Sequence, residues 1–179
     1  MPYNNTALLL LVAISHSLSI SVNNIPDTKT PPNRRHGSAL ALDPIQNSLF
    51  VYGGFEDSNE YFDDMWRFDL DTQTWEEILS PSSLTPGPRS YSYMQFLSNR
   101  RLLLLFGGST VKGPISDLWL FDLDNYLVRF IQWHQVSSPD SILPSSVYSS
   151  KASFEINGKE YLAVYGGIYR DGISNRLYM

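Results

Sequence analysis

Three stretches of this 179-residue chain repeat one another in register, and that repetition restricts its folds more than any other feature. Leu49-Phe50-Val51-Tyr52-Gly53-Gly54 is followed by Asp64-Met65-Trp66-Arg67-Phe68-Asp69-Leu70. Leu103-Leu104-Leu105-Phe106-Gly107-Gly108 is followed by Asp117-Leu118-Trp119-Leu120-Phe121-Asp122-Leu123. Leu162-Ala163-Val164-Tyr165-Gly166-Gly167 is followed by Asn175-Arg176-Leu177-Tyr178-Met179. The first glycines of the three pairs lie 54 and 59 residues apart.

A period near ~50 residues, carrying an apolar strand, a glycine pair and an aromatic in each unit, is how a β-propeller blade is written in sequence. The first unit parses into strands at about Ser38 to Leu42, Ser48 to Tyr52, Met65 to Leu70 and Thr74 to Leu79, rich in β-branched and aromatic residues. The second gives Tyr91 to Phe96, Arg101 to Phe106, Leu118 to Leu123 and Leu127 to Trp133; the third gives Lys151 to Ile156, Tyr161 to Tyr165 and a third strand reaching Met179. Where strand two ends, Gly53-Gly54, Gly107-Gly108 and Gly166-Gly167 are expected to supply positive φ or room for the neighbouring blade. Asn157-Gly158 is the strongest hairpin turn in the chain.

These units resemble kelch repeats: a Pro-x-Arg opening, an apolar strand ending in Gly-Gly, a polar loop, then Asp-apolar-Trp-x-Phe-Asp and a later Trp. The first unit carries the pattern most fully, through Arg35, Gly53, Gly54, Trp66 and Trp75. The second keeps Pro88-Arg89 and Trp119 and has Val128 where constant spacing puts the later Trp; the third has Tyr148 in register with Arg35 and Arg89. The resemblance covers about residues 31 to 179 and implies an all-β, incomplete kelch-type β-propeller of four-stranded antiparallel blades. Units are expected at about 34–79, 88–133 and 147–179 within a region 23–179, behind a leader at 1–22. Trp66, Trp119 and Tyr178 recur in register and are expected to pack between blades.

In an up-and-down blade the one–two and three–four turns share one face, and the two–three and four–one loops share the other. The first set is short; the second set, Phe55 to Asp63, Ser109 to Ser116, Ile168 to Ser174, Ser80 to Ser90 and His134 to Ser150, is long. Long irregular loops on a rigid scaffold concentrate binding residues, so this is the expected binding face. It carries Arg34, Arg35, Arg89, Lys112 and Arg170 with Phe55, Tyr61, Tyr91 and Tyr169, interrupted by Glu56, Asp57 and Asp171. Aromatics with arginines are what protein interfaces enrich, which favours a peptide or loop of another protein bearing a carboxylate. Arg35 and Arg89 have two readings, carboxylate readers at the rim or ties to carbonyls and to acidic residues of the next blade, and their recurrence favours the second. Asp64, Asp69, Asp117 and Asp122 recur likewise and are expected to be structural rather than catalytic. Glu56-Asp57-Ser58-Asn59-Glu60 has no counterpart in the second unit and is either a partner-contacting or cation-attracting loop or a solvated one, the last being favoured.

Composition trims the functional choices. With 18 acidic and 13 basic residues the net charge is −5 and no basic block exists, which argues against nucleic acid. His16, His36 and His134 show no ligand spacing, so no metal or cofactor is expected. The absence of cysteine removes disulfides and thiol nucleophiles. It also removes the cysteine-linked tyrosine that copper radical oxidases of the kelch type require. The apolar run Ala7 to Ile14 is too short to span a bilayer and fits the core of a secretory signal peptide, although Met1 to Thr6 carries no Lys or Arg. Leu18 to Val22 alternates and fits the last strand of a preceding blade; both readings hold if cleavage falls before it. Secretion follows from the first reading and a cytoplasmic location from its failure, and no insertion into a membrane is expected once a leader is removed. The leading function is a non-catalytic interaction scaffold, with self-association through its incomplete blades. The alternatives are a fragment of a propeller enzyme or metal-assisted specifier protein acting on a carbohydrate or small metabolite, and a truncated gene product.

Overall fold

A computed structural model describes residues 31–56, 60–80, 84–124, 133–136, 148–169 and 172–179. The leader, Asp57, Val128, Arg170 and Asp171 lie outside these residues. The described residues contain strands and turns and no helix. Blade one is an antiparallel sheet in the order β1 (Ala39–Asp43), β2 (Ser48–Tyr52), β3 (Met65–Asp69), β4 (Thr74–Glu77). Blade two repeats it with β5 (Tyr93–Leu97), β6 (Leu102–Thr110), β7 (Gly113–Asp122) and β8 (Trp133–Gln135). A third sheet joins β9 (Ser150–Ile156), β10 (Lys159–Tyr165) and β13 (Leu177–Tyr178), and β11 (Ile168–Tyr169) pairs separately with β12 (Gly172–Ile173). Asn157 and Gly158 link β9 to β10 with φ of 53° and 74°, the left-handed pair a tight two-residue hairpin requires.

Alternation in the strands produces two apolar faces per blade, and the blades stack face to face. Ala39, Ala41, Phe50, Tyr52 and Met65 of blade one pack against Met94, Phe96, Leu103, Leu105, Trp119, Phe121 and Trp133 of blade two. The opposite face of blade two, with Leu104 and Phe106, meets Leu162 and Val164 of blade three. Each aromatic sealed in these layers withdraws ~150–250 Å² from water. On the short-turn face Arg101 spans the first junction, its Nη2 lying 3.3 Å from Asp43 Oδ2 and its Nε donating to Asp124 at 2.9 Å. Gly53 shows why glycine ends strand two. Its φ is 63°, Gly54 N donates to the Arg89 carbonyl of the next blade at 2.8 Å, and a Cβ on Gly53 would collide with that same oxygen.

Two expectations from constant spacing give way. The aromatic partner of strand three in blade two is Trp133, not the residue at Val128: Phe121 pairs with Trp133 at 5.0 Å between ring centroids, as Phe68 pairs with Trp75 at 4.9 Å. The connection before β8 is longer than its counterpart before β4, which displaces the tryptophan along the chain. The segment Ser109 to Ser116 is also no irregular loop. β6 and β7 continue past the glycines, with a register shift between Phe106 and Gly108, and close through a turn at Val111 and Lys112. Ladder bonds that a loop would leave to water are thereby made within the blade.

Candidate functional site

The arginines in register are interior ties. Arg89 is 2% exposed, and its Nη1 and Nη2 donate to Asp117 Oδ1 and Oδ2 at 2.7 and 2.8 Å. Nη1 also reaches the Gly107 carbonyl at 3.2 Å, and Nη2 the Pro86 carbonyl. Arg35 does the same in blade one, chelating Asp64 and donating to the Gly53 carbonyl at 3.2 Å. Each aspartate accepts a further bond, at 2.6 Å, from the tryptophan two residues on, Trp66 or Trp119. Burial opposes the charged Asp64 carboxylate, yet the bonds from Arg35 and Trp66 outweigh it and hold its carboxyl below the usual range. The carboxylate that either guanidinium would read is thus supplied by its own blade, rather than by a ligand or by the next blade. Asp69 and Asp122 cap the turns that follow them: Asp69 Oδ1 accepts from the backbone of Asp71 and Thr72, and Asp122 Oδ1 from Asp124.

What the long-loop face offers instead is a string of rings across three blades. Tyr61 stacks on Phe55 at 5.4 Å, Phe55 meets Tyr91 edge-on at 5.8 Å, and Tyr91 meets Tyr148 at 5.1 Å. His36 covers the other end of Phe55 at 3.6 Å. The segments that lead into β1, β5 and β9 converge beside this string around a cavity of about 280 Å³, lined by Gly37, Ser38, Tyr91, Ser92, Tyr93, Tyr148, Ser149 and Lys151. Ser38 and Ser92 occupy equivalent places, each hydroxyl donating to the carbonyl of its blade's first strand-ending glycine at 3.1 and 2.8 Å. Tyr93 fastens blade two to blade three, its hydroxyl accepting from Ser153 N at 3.0 Å.

Tyr91 and Tyr148 hold φ of 56° and 58°, a region that costs a non-glycine residue of order 1–3 kcal/mol and that clusters at ligand sites. The position equivalent to Tyr91 in blade one is Gly37, with φ 67°, and a Cβ there would stand 3.1 Å from the Tyr91 ring. Blade one therefore gives up its side chain so that the Tyr91 ring can lie flat, held by Tyr91 N donating to Gly37 O at 2.6 Å. Desolvation, with Tyr148 and Tyr61 alongside, raises the Tyr91 phenol above its ordinary range. Lys151, opposite Val164 in the β9–β10 ladder, is half-buried, and burial pulls its ammonium below the ordinary lysine range. Among the described residues no carboxylate stands within ion-pairing distance of it.

Of the residues expected on this face, the structure brings Tyr61, Tyr91 and Phe55 together. Glu56 is exposed beside them, its backbone N donating to Glu60 O at 3.0 Å; Lys112 stands apart on the exposed β6–β7 turn. Arg34 is exposed ahead of blade one; Tyr169 contributes its backbone to β11. Ser38, Ser92, Tyr93 and Lys151 were not anticipated, because no local motif marks them. The signal available was a break in the repeat at one position, Gly37 in the first unit and Tyr91 in the second. Strand pairing puts Tyr148 at that same place, because Ser150 pairs with Tyr165 as Ala39 pairs with Tyr52, and not level with Arg35 as the count back from the glycines implies. Among the described residues no three acidic or histidine side chains gather to hold a metal ion.

Residues 6–179 match the family model described as the KLHDC2/KLHL20/DRC7 Kelch-repeats domain. The chain is 30% identical over 145 residues to acyl-CoA-binding domain-containing protein 5 of Arabidopsis thaliana, covering 80% of this chain and 20% of that protein. It is 30% identical over 129 residues to Kelch domain-containing protein 2 of Bos taurus, 72% of this chain and 29% of the relative. Tip elongation aberrant protein 3 of Schizosaccharomyces pombe is 34% identical over 144 residues, 64% of this chain and 12% of that protein. The chain thus spans under a third of the length of these relatives. With three in-register units folded as antiparallel blades and a family match over nearly its whole length, the chain belongs to the kelch-repeat family.

Proposed function

We propose that the chain is a non-catalytic interaction module that holds a peptide segment of another protein on its long-loop face. The single observation that carries this reading is the cavity where rings from separate blades meet a lysine with no carboxylate partner among the described residues. Tyr91 and Tyr148 present flat apolar surface with a polar tip, the combination interfaces use as anchors. Lys151 is held in a partly desolvated place where its charge is disfavoured, so a ligand carboxylate would restore what burial withdraws. The acidic net charge of −5 works against polyanions such as nucleic acid.

The test uses a labelled pool of short randomised peptides in two forms, one bearing free carboxylates and one with every carboxylate amidated, read by fluorescence polarisation. The native chain should retain the acidic pool. Tyr91→Gly keeps the backbone conformation and should lower affinity at least about tenfold, which is ~1.4 kcal/mol. Lys151→Met should abolish the preference for the acidic form while leaving thermal stability equal or higher, since a penalised charge is removed. Equal retention of both pools, or native binding by Lys151→Met, refutes the reading.

A further inference from the structure

Lys151 stands at a place that the repeat otherwise gives to apolar side chains. It pairs with Val164 across the β9–β10 ladder as Met94 pairs with Leu105 in blade two and Leu40 with Val51 in blade one. Met94 is buried in the core between blades one and two, and Val164, on the same sheet face as Lys151, is buried against blade two. The lysine stem is thereby set into an apolar junction, and its side chain borders the cavity of about 280 Å³. Every other residue lining that cavity is a tyrosine, a serine or a glycine, so Lys151 is its one cation. Several polar groups beside it are already engaged: Ser38 and Ser92 donate to the carbonyls of Gly53 and Gly107, and the Tyr93 hydroxyl accepts from Ser153 N. Among the described residues no carboxylate stands within ion-pairing distance of the amine.

A partly desolvated amine without a counter-ion favours its neutral form, and burial does pull Lys151 below the ordinary lysine range. A neutral lysine in an apolar pocket is a nucleophile toward carbonyl carbon. We propose that Lys151 is a covalent capture site for small, uncharged aromatic aldehydes, which it holds as a reversible imine. The lysine Nζ attacks the aldehyde carbon and forms a C–N bond, and a proton passes from nitrogen to the former carbonyl oxygen. That oxygen then leaves as water with the second amine proton, and the C=N bond closes. The step consumes no oxidant or reductant. The class of aldehyde follows from the walls. Tyr91 and Tyr148, 5.1 Å apart between ring centroids, offer faces for one further ring, and a cavity of this volume is at the small end of ligand sites. The chain has no cysteine, so no thiol competes for the electrophile. The inference shares the cavity with the peptide reading and does not rest on it, because the amine is tested with no peptide present.

Benzaldehyde with cyanoborohydride, which reduces the imine to a stable secondary amine, marks the lysines, and peptide mass mapping reads the rate at each. Exposure alone would rank half-buried Lys151 behind Lys112 and Lys159, which are both exposed. Near pH 7 Lys151 should instead be labelled at least about tenfold faster than either, because more of it is neutral. The advantage should shrink above about pH 10.4, where the exposed lysines are neutral as well. Tyr91→Gly, which keeps the left-handed backbone, should lower the Lys151 rate toward that of Lys159 and leave Lys112 unchanged. Lys151→Arg should lose this adduct alone. Labelling of native Lys151 no faster than the exposed lysines overturns the proposal and leaves peptide capture untouched. A native Lys151 rate in Tyr91→Gly also overturns it, since the amine would then react independently of the cavity. Fast labelling of Lys151 in a chain that retains no acidic peptide upholds the capture site and sinks only the peptide reading.

Discussion

Arg89→Met is expected to destabilise the chain nearly as severely as Trp119→Ala. The guanidinium makes two bonds to Asp117, at 2.7 and 2.8 Å, and further bonds to the carbonyls of Gly107, Pro86 and Gly87. Methionine preserves much of the apolar stem but leaves Asp117 with the Trp119 indole and strips three carbonyls of a donor. Deleting one partner of a buried pair costs ~3–5 kcal/mol. Asp117 keeps 23% side-chain exposure, so water recovers part of the loss and the lower end, about 3 kcal/mol, applies. Truncating a tryptophan such as Trp119, buried between blades, costs ~3–5 kcal/mol. At ~2–4 °C per kcal/mol for a chain of this size, Arg89→Met should lower Tm by roughly 6–12 °C.

Urea unfolding followed by tryptophan fluorescence and far-ultraviolet circular dichroism measures this, with coincidence of the two probes checking that one transition is seen. The double variant Arg89→Met/Asp117→Leu separates the tie from simple loss of volume. Removing both charges leaves no orphan, so it should be less destabilised than Arg89→Met alone. An Arg89→Met change within about 0.5 kcal/mol, the level of an exposed substitution, would refute the interior tie. It would also return Arg89 to the set of residues available to a ligand.

Gly53→Ala should destabilise strongly, because the added Cβ meets the Arg89 carbonyl as well as a φ of 63°. Gly87→Ala, with φ 75° and nothing near its Cβ, should cost only about 1 kcal/mol, and equal losses by calorimetry would show that strain alone explains Gly53. Acid should weaken blade one: the Asp64 carboxyl titrates lower in the folded chain than its ordinary ~3.9, so its stabilisation is complete above that pH and disappears as pH falls through the folded value. Arg35→Met should flatten this dependence in urea midpoints measured between about pH 2 and pH 6; an unchanged slope would assign acid sensitivity elsewhere.

Strand pairing was legible wherever residue spacing within a unit stayed constant. β2 runs over Ser48–Tyr52 as its alternation implies, and Asn157-Gly158 closes its hairpin, because both are set by neighbours in sequence. Trp133 was misplaced because Phe121 and Trp133 stand five residues further apart than Phe68 and Trp75, and ring packing tolerates a longer connection that register arithmetic does not. The hairpin beyond Gly107-Gly108 was read as a loop because Val111-Lys112-Gly113 has no alternation to announce it. Ser38, Ser92 and Lys151 were illegible for a deeper reason. They belong to three units and meet only when blades stack, so no window of sequence contains the cavity.

The third unit shows how a repeat scaffold makes room for such a site. Gly53 N donates to Asp64 O in blade one, and Gly166 N donates to Arg176 O in blade three, so Arg176 stands where Asp64 and Asp117 stand. Ser150 pairs with Tyr165 as Ala39 pairs with Tyr52 and Tyr93 with Phe106, so Tyr148, at φ 58°, stands where Gly37 and Tyr91 stand, and not in register with Arg35 and Arg89 as counting back from the glycines implies. Two residues before Tyr148 the sequence has Ser146 where the other units have Arg35 and Arg89. The third unit's sequence thus lacks both halves of the ion pair, and the two changes are coupled: an arginine without its aspartate, or the reverse, would leave a charge in a place built for a pair. Tyr148 is 65% exposed, lies against Tyr91, and repeats in the third unit the left-handed tyrosine of the second. Its ring walls the cavity from the third side, a place that Gly37 leaves open in blade one. Tyr148→Gly, which installs the residue blade one has at this place, should therefore relieve the left-handed strain and weaken capture of the acidic peptide pool. A Tyr148→Gly chain that binds as the native one does would show that Tyr148 only fills space.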